Sequence, residues 1–185
     1  MALYAPEIQV GGVGLNGRSE RLGARPTPFC GAYATIGAVI VYREFEAKTG
    51  GCFDALDVTE EVEEVVAATG LTEGRALVFS PHTTCCVLLA PSRAAALATL
   101  ERAREYLAPD GIYYAHDDLS IRTENLVEDE LPNAPAHILH VFCGRASVAM
   151  PVSGGKIVLG IDQRVLFVEL DCSRARRYCV QVLGE

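Results

Sequence analysis

The sequence predicts a single α+β domain, with a mixed or mostly antiparallel, sandwich-like sheet partly covered by two or three helices. Strand-like runs rich in β-branched residues occur in both halves of the chain. Segments with helical periodicity and recognisable caps lie between them. With 185 residues, of which 50% are hydrophobic and 22% charged, the chain can bury a full core without disulfides.

Composition excludes several classes of protein. No apolar run approaches the roughly 20 residues that a membrane span requires, and the first residues lack the basic region and apolar stretch of a secretory signal. We therefore expect a cytoplasmic protein with no membrane partner. The net charge of −8 argues against a nucleic-acid partner. The seven cysteines form no C-x-x-C pair, so we expect reduced thiols that pack as small hydrophobic residues.

Residues 1–32 are rich in Gly, Pro and Arg and show little periodicity. This composition predicts an N-terminal extension, either a partly ordered arm or a mobile tail. The main domain is expected to span residues 33–185.

The first elements of this domain are a strand, a helix and a second strand. A β-branched, partly alternating run predicts a strand over residues 38–47. Asp57 is expected to begin a helix, because Glu60 follows it at the spacing of a capping box, and Gly70 is expected to end it. The wholly apolar residues 76–79 predict a short buried strand that ends in a loop.

Two helices and a long loop follow. Residues 92–107 have the clearest helical pattern, with the first residue, a serine, as the N-cap. Residues 108–133 are acidic and irregular, and loops of this length are usually functional or mobile. Residues 134–142 predict a helix closed by Gly144, with Asn133 as the N-cap candidate.

The last forty residues indicate an antiparallel meander. Two short strands, residues 146–150 and 157–159, flank the hairpin turn at residues 153–155. Residues 164–170 and 178–183 supply two further strands.

Three of the four histidines lie in short polar motifs: His82 in SPHTT, His116 in YAHDD and His137 in APAHI. Neutral imidazoles from separate segments can form a metal site that leaves one coordination position open for chemistry. The separations match no short local metal motif. For each histidine alone, a hydrogen-bonded loop or core residue is the alternative interpretation.

Neighbouring polar residues fit either interpretation. Thr83 and Thr84 can hold a substrate oxygen or orient His82, or they can cap the turn after the strand. Asp117 can accept a hydrogen bond that fixes the tautomer of a histidine, or it can be a solvated loop carboxylate.

A group of cations follows Asp171. Arg174, Arg176 and Arg177 together suit a phosphate or pyrophosphate, which arginine binds through paired hydrogen bonds. Strand alternation would place Arg174 and Arg176 on one face and Arg177 on the other. The alternative is an edge strand protected by charge, or an intersubunit salt bridge. Arg122 is a separate candidate for anion binding.

These motifs resemble those of the YjbQ-type family of small proteins, which are described as secondary thiamine-phosphate synthases. The likeness runs from about Val39 to Glu185. The resemblance rests on these motifs: DVTE at 57–60, FSPHTT at 79–84, HD at 116–117, RTEN at 122–125, NAPAH at 133–137, SVAMPV at 147–152, GGK at 154–156, LG at 159–160, Gln163, and ELD at 169–171 with the arginines that follow.

The resemblance implies a YjbQ-like fold, a homotrimer with sites near the subunit boundaries, and a transferase that joins a pyrimidine diphosphate to a thiazole phosphate. His82, His116 and His137 are then the candidate ligands of a divalent metal, zinc above all, and together with Asp117 the candidate catalytic residues. The arginines would stabilise the departing diphosphate. The alternatives are a non-synthase member that binds a metal or a phosphorylated ligand, and a metal-assisted hydrolase.

The sequence also departs from the family pattern. Ala90 and Pro91 stand where the family carries Asn-Glu, Asp162 stands in place of Trp, and Leu139 replaces a basic residue. The lost carboxylate and aromatic ring predict weaker synthase activity than in a typical relative. The combined changes Ala90→Asn, Pro91→Glu and Asp162→Trp are expected to raise that activity.

Overall fold

The computed structural model describes residues 25–35, 38–126 and 131–185. None of the helices in these ranges is both long and apolar enough to cross a membrane. The helices are α1 (Thr59–Thr69), α2 (Arg93–Leu107) and α3 (Ala134–Phe142), with a short 3-10 turn at Ala115–Asp117. The strands are β1 (Arg25–Thr35), β2 (Ala38–Lys48), β3 (Ala55–Asp57), β4 (Glu73–Phe79), β5 (Cys85–Ala90), β6 (Ser147–Ser153), β7 (Lys156–Ile157), β8 (Arg164–Glu169) and β9 (Ala175–Gly184).

These strands form two antiparallel sheets. The larger has six strands in the order β1-β2-β9-β4-β6-β7, and the smaller has three in the order β3-β8-β5. Every pairing in the described residues is antiparallel. The α+β fold predicted from the sequence is therefore confirmed.

The three-stranded sheet is buried on both faces, as its central strand β8 shows. Val165 and Phe167 pack in the core cluster shared with the six-stranded sheet and α1. Leu166 and Val168 point the other way, into the cluster formed with α2 and α3. Because alternate side chains of a strand face opposite sides, a strand between two apolar layers needs an unbroken apolar sequence.

Helix α1 begins differently from the prediction. Asp57 stays in β3, and one of its carboxylate oxygens accepts hydrogen bonds from the backbone N–H of Thr59, at 3.1 Å, and from its hydroxyl, at 2.6 Å. The N-cap position is Val58, which makes no side-chain capping bond, so the predicted capping box with Glu60 is wrong. Gly70 ends the helix with a left-handed φ of 68°, as predicted.

Both later helices are confirmed. Ser92 caps α2 by accepting a hydrogen bond from the backbone N–H of Ala95 at 3.2 Å. At the end of α3, the N–H of Gly144 donates to the carbonyl of Leu139 at 2.9 Å. A Cβ at Gly144 would lie 2.4 Å from Cβ of Cys86, so only glycine lets the end of this helix pack against β5.

The predicted meander is wrong. Strands β6 and β7 do form the expected hairpin, and Gly154 and Gly155 supply its positive φ angles of 59° and 75°. However, β8 belongs to the smaller sheet, and β9 lies between β2 and β4. In this central position β9 buries Tyr178, Val180 and Val182 in the main core.

The N-terminal extension contributes to the sheet where it is described. Strand β1 pairs with β2, with an irregular register between Pro26 and Cys30. The predicted boundary at residue 32 therefore falls inside a strand. The predicted arm or tail over residues 1–24 lies outside the described residues.

Strand β5 has no counterpart in the predicted elements. Cys85 and Cys86 begin it and are fully buried. Cys85 packs in the cluster with the six-stranded sheet and Cys86 in the cluster with α2 and α3, because neighbouring side chains of a strand face opposite sides. Burial raises the pKa of Cys86 to about 12, and it also raises the pKa of Cys85. Both thiols are therefore protonated packing groups.

Candidate histidine site

His82 lies in the loop between β4 and β5 and is half-buried. Its Nε2 accepts a hydrogen bond from the backbone N–H of Arg177 in β9, at 2.9 Å. This bond favours the tautomer with hydrogen on Nδ1. Burial lowers the pKa of His82 below its ordinary value, and the nearby guanidinium of Arg176 lowers it further.

His116 and His137 come together from the 3-10 turn and from α3. Their ring centroids are 4.5 Å apart, with the ring planes tilted by 48°. The Nδ1 atom of His116 is 3.1 Å from a carboxylate oxygen of Asp117. When Nδ1 of His116 carries the proton, Asp117 can accept its hydrogen bond, which is one of the two roles predicted for this aspartate.

The same oxygen of Asp117 caps helix α3. It accepts the backbone N–H groups of Asn133, at 2.9 Å, and Ala134, at 2.8 Å. Burial acts to raise the pKa of Asp117, but the hydrogen bonds from His116, Ala134 and Asn133 hold it below its ordinary value. Asn133 occupies the N-cap position, as predicted, but its side chain makes no capping bond, because its amide instead donates to Asp171 at 3.1 Å.

His137 connects this pair to the His82 loop. Burial lowers its pKa, as does the neighbouring His116, while a hydrogen bond to the backbone of Thr83 opposes the shift. The contact between His137 and Thr83 places its ring beside the residue that follows His82. We call His82, His116 and His137 the histidine cluster. The rings of His116 and His137 are therefore in contact, and His137 lies next to the backbone of Thr83, the residue after His82. A shared pocket for all three side chains stays a prediction.

The arrangement does not fit a metal ion. Among the described residues, no group of three or more His, Cys, Asp and Glu side chains is placed to hold one. In particular, Nε2 of His82 is engaged by the N–H of Arg177. We therefore derive no chemistry through a metal, and zinc stays a prediction.

The arginines after Asp171 do not share one site. Arg176 is buried and donates through Nε and one terminal nitrogen to the two carboxylate oxygens of Glu169, at 2.6 and 2.8 Å. The same terminal nitrogen also donates to the hydroxyl of Thr84 at 3.1 Å. Arg174 precedes β9 and contacts Asp171 at 3.3 Å. Sequence reasoning missed Glu169, because a lone carboxylate at a strand end gives no sign that it pairs with the arginine seven residues later.

Arg122 organises the long loop. Its guanidinium donates to the backbone carbonyls of His116 at 3.3 Å, Glu124 at 3.1 Å and Asn125 at 3.0 Å. Its charge also contributes to lowering the pKa of His137, after burial and His116. Arg122 therefore places positive charge beside the histidine cluster.

Ala90, one of the departures from the family pattern, lies away from the His82 loop within one chain. Ala90 ends β5 and pairs with Arg164, whereas the His82 loop joins the other end of the strand at Cys85. A strand of this length separates the two ends by about 17 Å. Leu139 is fully buried in the core beneath α3, where no cation fits. The expected weakness in synthase activity stays a prediction.

The stability of the fold is expected to fall as pH falls from about 7.5 to 5.5. His82 and His137 have pKa values below the ordinary value when folded, so the unfolded chain binds more protons below about pH 6.5. Each such proton contributes a slope of up to about 1.4 kcal/mol per pH unit. Urea unfolding with a chelator present measures this slope. The double variant His82→Gln, His137→Gln should flatten it, and an unchanged slope would refute the assignment.

Asp117→Ala is expected to lower the free energy of unfolding by about 1–2 kcal/mol, because two backbone donors at the start of α3 lose their acceptor. The matched variant Asp117→Asn keeps an acceptor oxygen and should lose less. Thermal and urea unfolding of both variants measures the difference. Equal losses would show that the capping bonds are not the cause.

Taken together, the fold and the site define a class: an α+β protein of two antiparallel sheets, in which a 3-10 turn and a helix bring two histidines together beside an aspartate that caps the helix. A family model described as UPF0047 protein YjbQ-like matches residues 43–185. The chain belongs to this family.

Individual relatives agree. A UPF0047 protein from Archaeoglobus fulgidus is 34% identical over 140 residues, covering 76% of this chain and 99% of that protein. The UPF0047 protein YugU from Bacillus subtilis is 28% identical over 142 residues, covering 77% and 98%. The solved structure of a YbjQ-like protein of unknown function from Sulfolobus solfataricus P2 has a TM-score of 0.66 at 30% identity, covering 80% of this chain and 99% of that one. The predicted family is confirmed.

Proposed function

We propose that the chain is an enzyme that acts on a phosphorylated small molecule at the histidine cluster. Thiamine-phosphate synthesis from a pyrimidine diphosphate and a thiazole phosphate is the first reaction to test. The observation that carries the proposal is the contact between His116 and His137, with Asp117 hydrogen-bonded to Nδ1 of His116.

Proton transfer is the chemistry that this arrangement favours. When Nδ1 of His116 donates to Asp117, its Nε2 is left as a proton acceptor. The carboxylate also stabilises the imidazolium that forms when Nε2 takes a proton. His116 is therefore the proposed general base, with His137 beside it as a second proton carrier.

The charges around the cluster favour an anionic substrate. In addition to burial, Arg176 and Arg177 lower the pKa of His82 and Arg122 lowers the pKa of His137, while Glu169 and Asp171 act on the same two histidines in the opposite direction. Arginines near these histidines can attract a phosphate. Arg174, with 40% of its side chain exposed, is the proposed direct phosphate contact. Arg176 and Thr84 are buried and hydrogen-bonded to each other, so their proposed role is structural. Thr83 is exposed and can bind a substrate oxygen.

The test measures product formed from the two phosphorylated precursors by the full-length protein. Turnover by the wild type and its loss in His116→Gln are the expected results. Absence of product in the wild type would refute the synthase proposal. Binding of pyrophosphate without turnover would then favour the alternative of a phospholigand-binding protein.

The predicted metal is tested separately. Elemental analysis of the purified protein, before and after exchange with excess zinc, reports the ions bound per chain. About one ion per chain, lost in His137→Gln, would confirm a three-histidine site and would favour the metal-assisted hydrolase. No bound metal in an active wild type would leave the acid–base proposal as described above.

We also propose that the protein is a homotrimer, as the family resemblance implies. The single chain leaves large apolar side chains open to solvent, and Tyr113, Ile121 and Phe142 are 69%, 61% and 72% exposed. A trimer would cover such residues. Light scattering coupled to size exclusion should return about three times 19.8 kDa. A stable monomer at micromolar concentration would contradict the prediction.

A further inference from the structure

Asp171 lies between the buried ion pair and the histidine cluster and belongs to neither. It comes shortly after β8, and its side chain is 10% exposed. Its backbone N–H donates at 3.0 Å to a carboxylate oxygen of Glu169, the partner of Arg176. Because Glu169 is fully buried, this hydrogen bond anchors the backbone of Asp171 to the core.

The carboxylate of Asp171 contacts two side chains through one oxygen. Oδ2 accepts a hydrogen bond from the side-chain amide of Asn133 at 3.1 Å, and a terminal nitrogen of Arg174 lies 3.3 Å from the same atom. Nε of Arg174 also donates to the sulfur of Cys172 at 3.1 Å. Asp171 therefore holds Asn133 and Arg174 in a defined position relative to each other.

Asn133 connects Asp171 to the proposed general base. Its backbone N–H donates to an oxygen of Asp117 at 2.9 Å, and the same oxygen lies 3.1 Å from Nδ1 of His116. Asn133 also occupies the N-cap position of α3, the helix that carries His137. A shift of Asn133 would therefore act on both histidines.

We propose that Asp171 is a positioning residue, which sets the place of a phosphate bound by Arg174 relative to the proton acceptor on His116. This inference rests on the proposed function, in which Arg174 contacts the phosphate and His116 is the general base. Asp171 acts through Asn133 and Arg174 and needs no contact with the substrate. Misplacing a reacting group by about 1 Å can lower a rate by roughly 100-fold, so such a residue has a measurable effect.

The two contacts of Asp171 predict separate kinetic effects. Asn133→Ala removes only the amide contact and should lower kcat about tenfold, with KM unchanged. Arg174→Ala removes the phosphate contact and should raise KM more than it lowers kcat. Asp171→Ala removes both contacts and should change kcat and KM together. Asp171→Asn keeps an acceptor oxygen for Asn133 but loses the charge that faces Arg174, so it should recover most of kcat and little of KM.

A double-mutant cycle tests whether Asn133 acts through Asp171. The kcat of the double variant Asp171→Ala, Asn133→Ala should lie within about threefold of that of Asp171→Ala alone, because the second change removes a contact that is already lost. The matched control is Asp57→Ala. Asp57 also accepts a backbone N–H and pairs with an arginine, Arg164, at 2.7 Å, so its loss should lower stability without altering kcat or KM.

A measurement that needs no turnover separates this inference from the proposed function. Long-range proton–nitrogen spectra of the full-length protein report the ring nitrogens of its histidines, and His116→Gln assigns the signals of His116. Asp171→Ala and Asn133→Ala should shift the Nδ1 signal of His116 in the same direction, and Asp57→Ala should leave it in place. These shifts in a protein without turnover would refute the proposed function and leave the positioning of His116 by Asp171 intact.

Three outcomes would overturn the inference. They are an unchanged Nδ1 signal of His116 in Asp171→Ala, losses of kcat that multiply in the double variant, and equal losses of activity in Asp171→Ala and Asp57→Ala. If Asp171→Ala folds poorly, Asp171→Asn supplies the test, and a loss of kcat as large as its rise in KM would also overturn the inference.

Discussion

Arg176→Met is expected to lower the free energy of unfolding by about 3–5 kcal/mol. Arg176 and Glu169 form a paired hydrogen-bonded ion pair in which the side chains are 7% and 0% exposed. Removing the guanidinium leaves the carboxylate of Glu169 charged and buried. The hydroxyls of Thr49 and Thr84 also bind this pair, so the loss extends through a network.

The matched control is Arg93→Met. Arg93 also pairs with an aspartate, Asp54, but its side chain is 55% exposed, so this loss should be only about 0–1 kcal/mol. Urea unfolding of both variants gives the two values, provided that the m values agree. A loss of 1 kcal/mol or less in Arg176→Met would show that an unpaired Glu169 does not destabilise the fold. The double variant Arg176→Met, Glu169→Leu should recover part of the stability, because it removes the unpaired charge.

His137→Gln is expected to lower the turnover of the phosphorylated precursors by about 10²- to 10⁴-fold, the usual contribution of a positioned acid or base. The reason is geometric. The ring of His137 lies against that of His116 and contacts the backbone beside His82, so its replacement disrupts the centre of the cluster. Glutamine keeps hydrogen-bonding groups but cannot carry a proton at neutral pH.

The control for this variant lies on the same helix. His140 is also a half-buried histidine of α3, but one of its ring nitrogens, Nδ1, contacts the backbone carbonyl of Cys85 at 2.8 Å, within the fold. His140→Gln should therefore change stability more than turnover. Similar losses of turnover in the two variants would indicate that His137 acts through the position of α3. Thermal unfolding of each variant separates the two effects.

The sequence was most informative where a signal is local. The capping serine of α2, the left-handed Gly70 and the Gly-Gly turn between β6 and β7 all lie where they were expected. Each depends on backbone conformation and on hydrogen bonds within a few residues, which short patterns determine. The three histidine motifs were also recognisable, because each is a short polar motif and all three match the family pattern.

The sequence alone therefore determined the fold class, most helices and strands, and the family. Only the tertiary structure decided that β9 lies between β2 and β4, that Asp117 rather than Asn133 caps α3, and that Arg176 is buried against Glu169. The physical reason is that these contacts depend on how separate segments pack, even where, as for Glu169 and Arg176, the two residues are only seven positions apart. A strand has the same alternating pattern whichever neighbour it pairs with. A carboxylate likewise has the same appearance in sequence whether it faces water, a helix end or a buried guanidinium.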